Sequence, residues 1–228
     1  QPRFIIAILG MESYYGRNQG KINTINAVTT LAFDRRRSSF YRKQLFAALK
    51  IIDDDMIPNK ILKGSWGGAV GMTQMIPTTF LESAYDWDGG GIDIWNSYLD
   101  AFASTANYLT SLDKNPWLID STWGREVKPP TNIASFYDDL KQKNPKGCGA
   151  VKSRSIVKNL NEWSELGFVN IDGTSLPVRK DLEARLIAPD GIKGRMFLVY
   201  PNYKNILYYN CSSYYAISVG LLSDKINN

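Results

Sequence analysis

Histidine is absent from this 228-residue chain, and its absence narrows the chemistry that the protein can perform. Ser-His-Asp and Cys-His catalysis are excluded, and the commonest ligand of catalytic zinc is missing. The two cysteines, Cys148 and Cys211, are too few for a structural zinc site. They could form one disulfide, which would suit a periplasmic or secreted protein, or stay as two unpaired thiols, and the sequence favours neither.

Long apolar segments are missing as well. No run of apolar residues is long enough to span a bilayer, and the chain opens on residues that read as a buried helix instead of a signal peptide. We therefore expect the natural start to have been removed or to lie outside this chain. The hydrophobic content of 44% allows one good core with a smaller appended lobe.

The charge balance is basic, with a net charge of +5 and a pI of about 9.1. Such a chain favours a polyanionic partner, and nucleic acid, anionic lipid and bacterial cell wall all qualify. The densest basic run, Arg35 to Arg37, is typical of a solvated helix start, and no nucleic-acid-binding motif accompanies it. Nucleic acid is therefore not expected as a partner.

The hydrophobic pattern predicts an α+β protein that is mainly α. The predicted helices follow apolar spacing of three and four residues, and the predicted strands are short β-branched runs between turns. Helices are predicted after the opening one at 26–33, 38–53, from Pro77, from a cap at Ser97, at 155–166, and from Ser212 or Ser213 to Ile226; strands are predicted at 184–187 and 196–200. We expect a helical core of residues 1–115 and 210–228, with a β-containing subdomain, 116–209, inserted before the last helix.

The residue that points to chemistry is Glu12, a single carboxylate that ends the apolar helical run Phe4 to Met11. A carboxyl group among apolar side chains is costly to ionise, so we expect the pKa of Glu12 to be raised toward the pH at which it can donate a proton. Cleavage of a glycosidic bond needs such an acid. Together with the glycine-rich segment Lys63 to Pro77, Glu12 predicts an enzyme that cleaves a sugar polymer.

Six motifs follow one another in an order and spacing that resemble the lytic murein transglycosylases of the membrane-bound B type, glycoside hydrolase family 103. The resemblance covers nearly the whole chain. Its motifs are Gly10 to Gly16, Lys63 to Pro77, Ile94-Trp95, Ala106 to Leu109, Val199 to Tyr203, and Tyr209-Asn210. The resemblance implies a goose-lysozyme-like helical core, a bacterial periplasmic location, and cleavage of the glycan strands of peptidoglycan. Attachment to the outer membrane through an anchor outside this chain is left open.

The resemblance also implies a mechanism with one catalytic residue, Glu12. It would protonate the oxygen between N-acetylmuramic acid and N-acetylglucosamine, then take the proton of the muramic 6-hydroxyl as that group closes a 1,6-anhydro ring. Because the nucleophile belongs to the substrate, no second protein carboxylate and no cofactor are required. The positions that match the family's cleft and are expected to bind substrate are Ser65, Gln74, Tyr108, Tyr209, Asn210 and Tyr215. For Tyr108, a place in the core is a strong alternative, because it lies on an apolar helix stripe.

A loop rich in aspartate and glycine, Asp86 to Asp93, raises the question of calcium. Related sequences often carry an EF-hand-like loop here, and such a loop needs oxygen ligands at positions one, three, five and twelve. Asp86 and Asp88 fit the first and third positions, but Gly90 occupies the fifth and Ser97 the twelfth. We expect a tight turn with weak or no affinity for the metal.

Two other functions remain open from the sequence. A lysozyme-type muramidase would use water and needs a second carboxylate, for which Asp34, Asp86 and Asp88 are the nearest candidates. A peptidoglycan-binding module without activity would leave Glu12 with no catalytic role. The oligomeric state and the choice between cutting at strand ends and cutting internally are left open.

Overall fold

The computed structural model describes residues 1–111 and 115–226. By packing, these residues form two units: residues up to Ser111 together with those from Ser223 onward, and a second unit that ends at Leu222. The sequence-based domain limits, 116 and 209, stay a prediction. In the described part of the chain, no helix has the length and apolar character needed to cross a membrane.

The first unit is helical apart from one short antiparallel ribbon, in which Ile22 lies opposite Gly64 and Asn23 opposite Lys63. In chain order its elements are α1 (Pro2–Ser13), β1 (Ile22–Asn23), α2 (Thr24–Phe33), α3 (Ser38–Asp53), β2 (Lys63–Gly64), α4 (Pro77–Ser83) and α5 (Tyr98–Thr110). The helix α2 packs mainly on α3, and α3 packs on α4.

The core of the first unit is built from residues spaced along these helices. Pro2 starts α1, where its fixed φ and missing N–H cost nothing. The buried face of α1 repeats at three and four residues, as an amphipathic helix requires: Phe4, Ala7, Ile8 and Leu9. A second cluster of fully buried side chains includes Val28, Ile51, Leu62, Phe80 and Ile94. Arg3 forms a salt bridge of 3.0 Å with Asp224, which ties α1 to the end of the chain within this unit.

The second unit contains a five-stranded antiparallel sheet. Its elements are β3 (Gly124–Lys128), α6 (Gly149–Lys152), β4 (Lys158–Asn159), α7 (Leu160–Glu165), β5 (Val169–Asn170), β6 (Glu183–Ile187), β7 (Met196–Val199), α8 (Pro201–Tyr209) and most of α9 (Ser213–Ile226). The strand order is β4-β6-β7-β3-β5, so the fully buried strand β7 is central and pairs with both β6 and β3.

A disulfide, a buried asparagine and an aromatic pair help to hold the second unit together. Cys148 and Cys211 form a disulfide across a sequence separation of 63 residues. The buried side chain of Asn202 accepts from the N–H of Leu118 at 2.8 Å and donates to its carbonyl at 2.8 Å. The indole of Trp163 contacts Phe168 edge to face, with 5.2 Å between ring centroids.

The predicted α+β class with a helical majority is confirmed. The bounds 38–53 of α3 match, Ser97 caps α5 by accepting from the N–H of Asp100, and a final helix runs from Ser213 to Ile226. The helix predicted from Ser155 is wrong at its start: α7 begins at Leu160, because Asn159 and Glu162 form a capping box there. The region predicted as strands and turns up to Tyr209 also contains an unpredicted helix, α8.

Candidate active site

Glu12 lies on the last turn of α1, where it is half-buried next to the fully buried Ser13. The helix ends abruptly after Ser13, since the next three residues all have a left-handed backbone: φ is 52° at Tyr14, 58° at Tyr15 and 83° at Gly16. Two consecutive tyrosines in this region are strained, and such strain persists only where the surroundings enforce it. The N–H groups of Tyr14 and Tyr15 donate to the carbonyls of Gly10 and Leu9, both at 3.1 Å.

Ser13 fixes the turn beside Glu12. Its hydroxyl donates to the carbonyl of Leu9 at 3.3 Å and accepts from the N–H of Gly16 at 2.8 Å. The N–H of Asn18 donates to the carbonyl of Ser13 at 2.8 Å. The backbone that carries Glu12 is therefore held by hydrogen bonds on its C-terminal side.

Two glutamine amides join this turn to two other loops. The Nε2 of Gln19 donates to the carbonyl of Gly16 at 3.0 Å and to that of Trp95 at 2.8 Å. The Nε2 of Gln74 donates to the carbonyl of Gln19 at 3.0 Å and to that of Gly71 at 2.9 Å. Gln74 itself has a left-handed backbone, with φ 49°. The predicted site residue Gln74 thus belongs to the framework that holds the turn after Glu12, with one amide donating to two loops.

Ser65 closes a tight loop at the end of β2. Its Oγ accepts from the N–H of Ala69 at 3.2 Å, and its N–H donates to the carbonyl of Ala69 at 2.8 Å. The loop exposes the indole of Trp66, which is 72% accessible. An exposed tryptophan on a rigid loop is a suitable surface for the apolar face of a sugar ring. Trp66 was not predicted as a site residue, although its place between Ser65 and Gly67 is visible in the sequence.

Most glycines of the segment Lys63 to Pro77 do not leave open space for a ligand. Glycine here suggests room for a bulky sugar, yet most of these residues face protein atoms. A Cβ on Gly64 would lie 1.9 Å from the carbonyl oxygen of Ala69, and one on Gly71 would lie 2.6 Å from the side chain of Ile94. Only around Gly67 is the space open, with Ser65 Oγ the nearest atom at 3.9 Å. The glycines therefore serve mainly to fold the loop, and Gly67 alone leaves space beside it.

The remaining predicted site residues fall in both units. Tyr108, on α5 of the first unit, is half-buried and packs against the core cluster of Val28 and Phe80, which agrees with the alternative of a core position. Tyr209, Asn210 and Tyr215 belong to the second unit, where α8 ends and α9 begins. The structure thus links Gln74 to the turn after Glu12 within the first unit, and it places these three residues in the second. The substrate-binding roles of all six stay predictions.

The acidic loop contains a ligand candidate that the sequence did not predict. Carboxylate oxygens of Asp86, Asp88 and the buried Asp100 lie within 4.8 Å of one another. Backbone N–H groups already bind them, however: Asp86 accepts from Gly89 and Gly91 at 2.8 and 2.9 Å, and Asp100 accepts from Trp87 and Asp93 at 3.0 and 2.8 Å. The N–H of Gly91 is the main cause that lowers the pKa of Asp86. These carboxylates therefore help to hold the loop closed, and the weak or absent affinity for calcium expected from the sequence stays a prediction.

Comparison with known proteins adds independent information. Residues 1–224 match the family described as the transglycosylase SLT domain. Membrane-bound lytic murein transglycosylase B of Escherichia coli (strain K12) is 27% identical over 228 residues, which cover 99% of this chain and 56% of that protein. SltB3 from Pseudomonas aeruginosa, solved in complex with NAG-anhNAM-pentapeptide, has a TM-score of 0.85 at 41% identity, over 99% of this chain and 56% of that chain.

A more distant structure, the Escherichia coli lytic transglycosylase Slt35 in complex with calcium, has a TM-score of 0.75 at 25% identity, over 100% of this chain and 66% of that chain. These neighbours have a lysozyme-like fold, so the predicted fold is confirmed. This chain spans 56% of the length of the E. coli protein and of SltB3.

Proposed function

Because the chain belongs to the transglycosylase SLT domain family, we propose that it is a lytic transglycosylase that cleaves the β-1,4 bond between N-acetylmuramic acid and N-acetylglucosamine in peptidoglycan. Glu12 is its only catalytic residue. The observation that carries this assignment is the position of Glu12, half-buried on the last turn of α1 and followed by a turn that Ser13, Gln19 and Gln74 hold in place. A catalytic acid needs such a fixed backbone.

The reaction uses the two protonation states of Glu12 in turn. In the first step the carboxylic acid gives its proton to the glycosidic oxygen as the bond from that oxygen to the anomeric carbon breaks. In the second step the carboxylate takes the proton of the muramic 6-hydroxyl while the oxygen bonds to the anomeric carbon. The product carries a 1,6-anhydro ring, no water is consumed, and Glu12 is protonated again. SltB3, solved with NAG-anhNAM-pentapeptide, is a relative that binds a ligand of this product class.

The hydrolytic alternative needs a second carboxylate, and its candidates are engaged elsewhere. Asp34 is bound by the guanidinium of Arg36 at 2.8 Å, and hydrogen bonds from Arg36 lower the pKa of Asp34 to about 2. Asp86 and Asp88 accept the N–H groups of glycines in their own loop. The lowered pKa values of Asp34 and Asp86 make these two carboxylates weak bases, which favours the intramolecular 6-hydroxyl over water as the nucleophile.

The location follows from the substrate and from the disulfide. Peptidoglycan lies outside the cytoplasmic membrane, and a disulfide such as Cys148–Cys211 persists in an oxidising compartment. We therefore place the protein in the periplasm. Glycan strands of peptidoglycan are its proposed partner.

The test is the product of digestion. Purified peptidoglycan is incubated with the chain, and the muropeptides are analysed by mass spectrometry beside a digest with a muramidase. We expect products that are one water lighter than those of the muramidase, with anhydromuramic ends. Reducing-end muramic acid as the main product would identify a hydrolase instead. Absence of any soluble product, with the glycan still bound, would identify a binding module.

A further inference from the structure

A cavity in the second unit is lined by cations that have no ion-pair partner. Its volume is about 170 Å³, and Arg154, Arg185 and Lys204 contribute to its wall. Arg154 is only 8% exposed. Its Nε donates to the carbonyl of Val151 at 3.2 Å, and Arg185 donates to the carbonyl of Ser155 at 2.6 Å. Within the described residues, no carboxylate lies within salt-bridge distance of any of the three cations.

Burying these like charges beside one another is electrostatically unfavourable. Burial, and then the like charge of Arg185, lower the pKa of Arg154 to about 10. Burial also lowers the pKa of Arg185, which the charge of Glu183 offsets only in part. Among the described residues of the cavity wall, Glu183 is the one acid, against three cations. An unpaired buried charge is costly in general, and a bound anion would remove that cost.

A helix N-terminus adds to the positive potential. The first turn of α8, with Tyr200, Pro201 and Lys204, forms part of the wall. No side chain caps this end of the helix. The N-terminus of a helix carries partial positive charge and favours anions, most of all where cationic side chains converge on it.

The size of the cavity limits the ligand. Pockets that enclose a whole drug-sized molecule are roughly 300 Å³ or larger, so this one fits a single charged group. Two guanidinium groups favour a planar or tetrahedral oxyanion, which each can bind through two N–H groups. The side chain of Asn115 also lies on the cavity wall, where its amide Nδ2 donates to the backbone carbonyl of Pro201 at 3.0 Å.

We propose that Arg154, Arg185 and Lys204 form an oxyanion-binding site that accepts a carboxylate or phosphate group. If the proposed function is right, a carboxylate of the peptide stem of peptidoglycan is one source of this group, and free phosphate is the other. The site is a binding element of the second unit and takes no part in the chemistry at Glu12.

Isothermal titration of the full chain with two probes tests the site: inorganic phosphate, and the free stem pentapeptide without sugars. The variant is Arg185→Gln combined with Lys204→Gln, because both side chains are less buried than that of Arg154. Lys180→Gln, an exposed lysine of the same unit, is the matched control. We expect binding of at least one probe, at least ~10-fold weaker in the double variant and unchanged in the control.

The titrations with the two probes distinguish the two sources of the bound oxyanion. Binding of the pentapeptide that disappears when its carboxylates are amidated identifies the peptide, and binding of phosphate alone identifies phosphate. Failure of both probes to bind the unmodified chain, or equal binding by the double variant, would overturn the proposal. All titrations are repeated with the Glu12→Gln variant. We expect the probes to bind this variant as they bind the unmodified chain, whether or not Glu12 is catalytic. A negative titration would therefore contradict the oxyanion site alone, and a negative product analysis would contradict the proposed function alone.

Discussion

Each of the two units is stabilised internally by a different kind of interaction. Around Glu12 in the first unit, the supports are side-chain amides and hydroxyls that bind backbone carbonyls of loops, as Gln19 and Gln74 do. The second unit depends on a sheet, on a disulfide between residues 63 positions apart, and on the buried side chain of Asn202, which binds the backbone of Leu118, 84 positions away. The comparison teaches that the turn after Glu12 is supported by hydrogen bonds that a single substitution can remove, whereas the cationic cavity lies in a covalently cross-linked framework.

The largest effect is expected at Glu12 itself. Glu12→Gln keeps the shape and removes the exchangeable proton, so turnover of peptidoglycan should fall by roughly 10²–10⁴-fold or below detection, while glycan binding survives. The measurement is release of soluble muropeptides, and binding is followed by co-sedimentation with intact walls. Glu82→Gln, an exposed glutamate of the same unit, is the control and should keep full activity. Unchanged release by Glu12→Gln would leave Glu12 without a catalytic role.

Removal of the disulfide should affect the second unit and spare the first. Cys148→Ser with Cys211→Ser frees a loop of 63 residues, and we expect a loss of about 2–4 kcal/mol in unfolding free energy. Urea unfolding gives the energy, and hydrogen exchange read by mass spectrometry shows where protection is lost. A reductant should destabilise the unmodified chain and leave the double variant unchanged. Equal loss of protection in α1 to α5 would contradict the contrast between the units.

Gln74 tests the hydrogen-bonded framework of the first unit. Gln74→Ala removes two donations to backbone carbonyls, so we expect a loss of about 1–3 kcal/mol in stability together with a lower kcat. Asn18→Ala, an exposed residue of the turn after α1, is the control, and it should change neither quantity. Thermal unfolding and initial rates on purified walls provide both measurements. Wild-type rates in a destabilised Gln74→Ala variant would show that the framework does not position Glu12.

The smallest effect is expected from calcium. Because Gly90 and Ser97 replace two of the oxygen ligands of an EF-hand loop, we expect a Kd of about 1 mM or weaker, so calcium at about 1 mM should add at most about 0.4 kcal/mol. Thermal unfolding is compared in calcium, magnesium and EDTA, with Asp88→Asn as the variant. A stabilisation specific to calcium that Asp88→Asn abolishes would mean that the loop opens to bind the metal.

The sequence predicted the first unit better than the second, for a physical reason. Helix α3, the cap at Ser97 and the carboxylate at the end of α1 all depend on residues within a few positions of each other. In the second unit, the pairing of Cys148 with Cys211 depends on a contact that no local pattern encodes. The place of Asp100 beside Asp86 and Asp88 is the exception within the first unit, because it too depends on a contact between separate segments. The start of α7 is an intermediate case, because the spacing of Asn159 and Glu162 is a visible capping signal.

The end of α1 also affects the electrostatic surroundings of Glu12, which lies on its last turn. The peptide dipoles of the helix sum to a macrodipole whose negative pole lies at its last turn, where the carbonyls point. In general, a negative charge is unfavourable at this end of a helix and a positive charge is favourable. The left-handed tyrosines stop the helix one residue after Glu12, so they keep Glu12 in the last turn, where this negative pole lies.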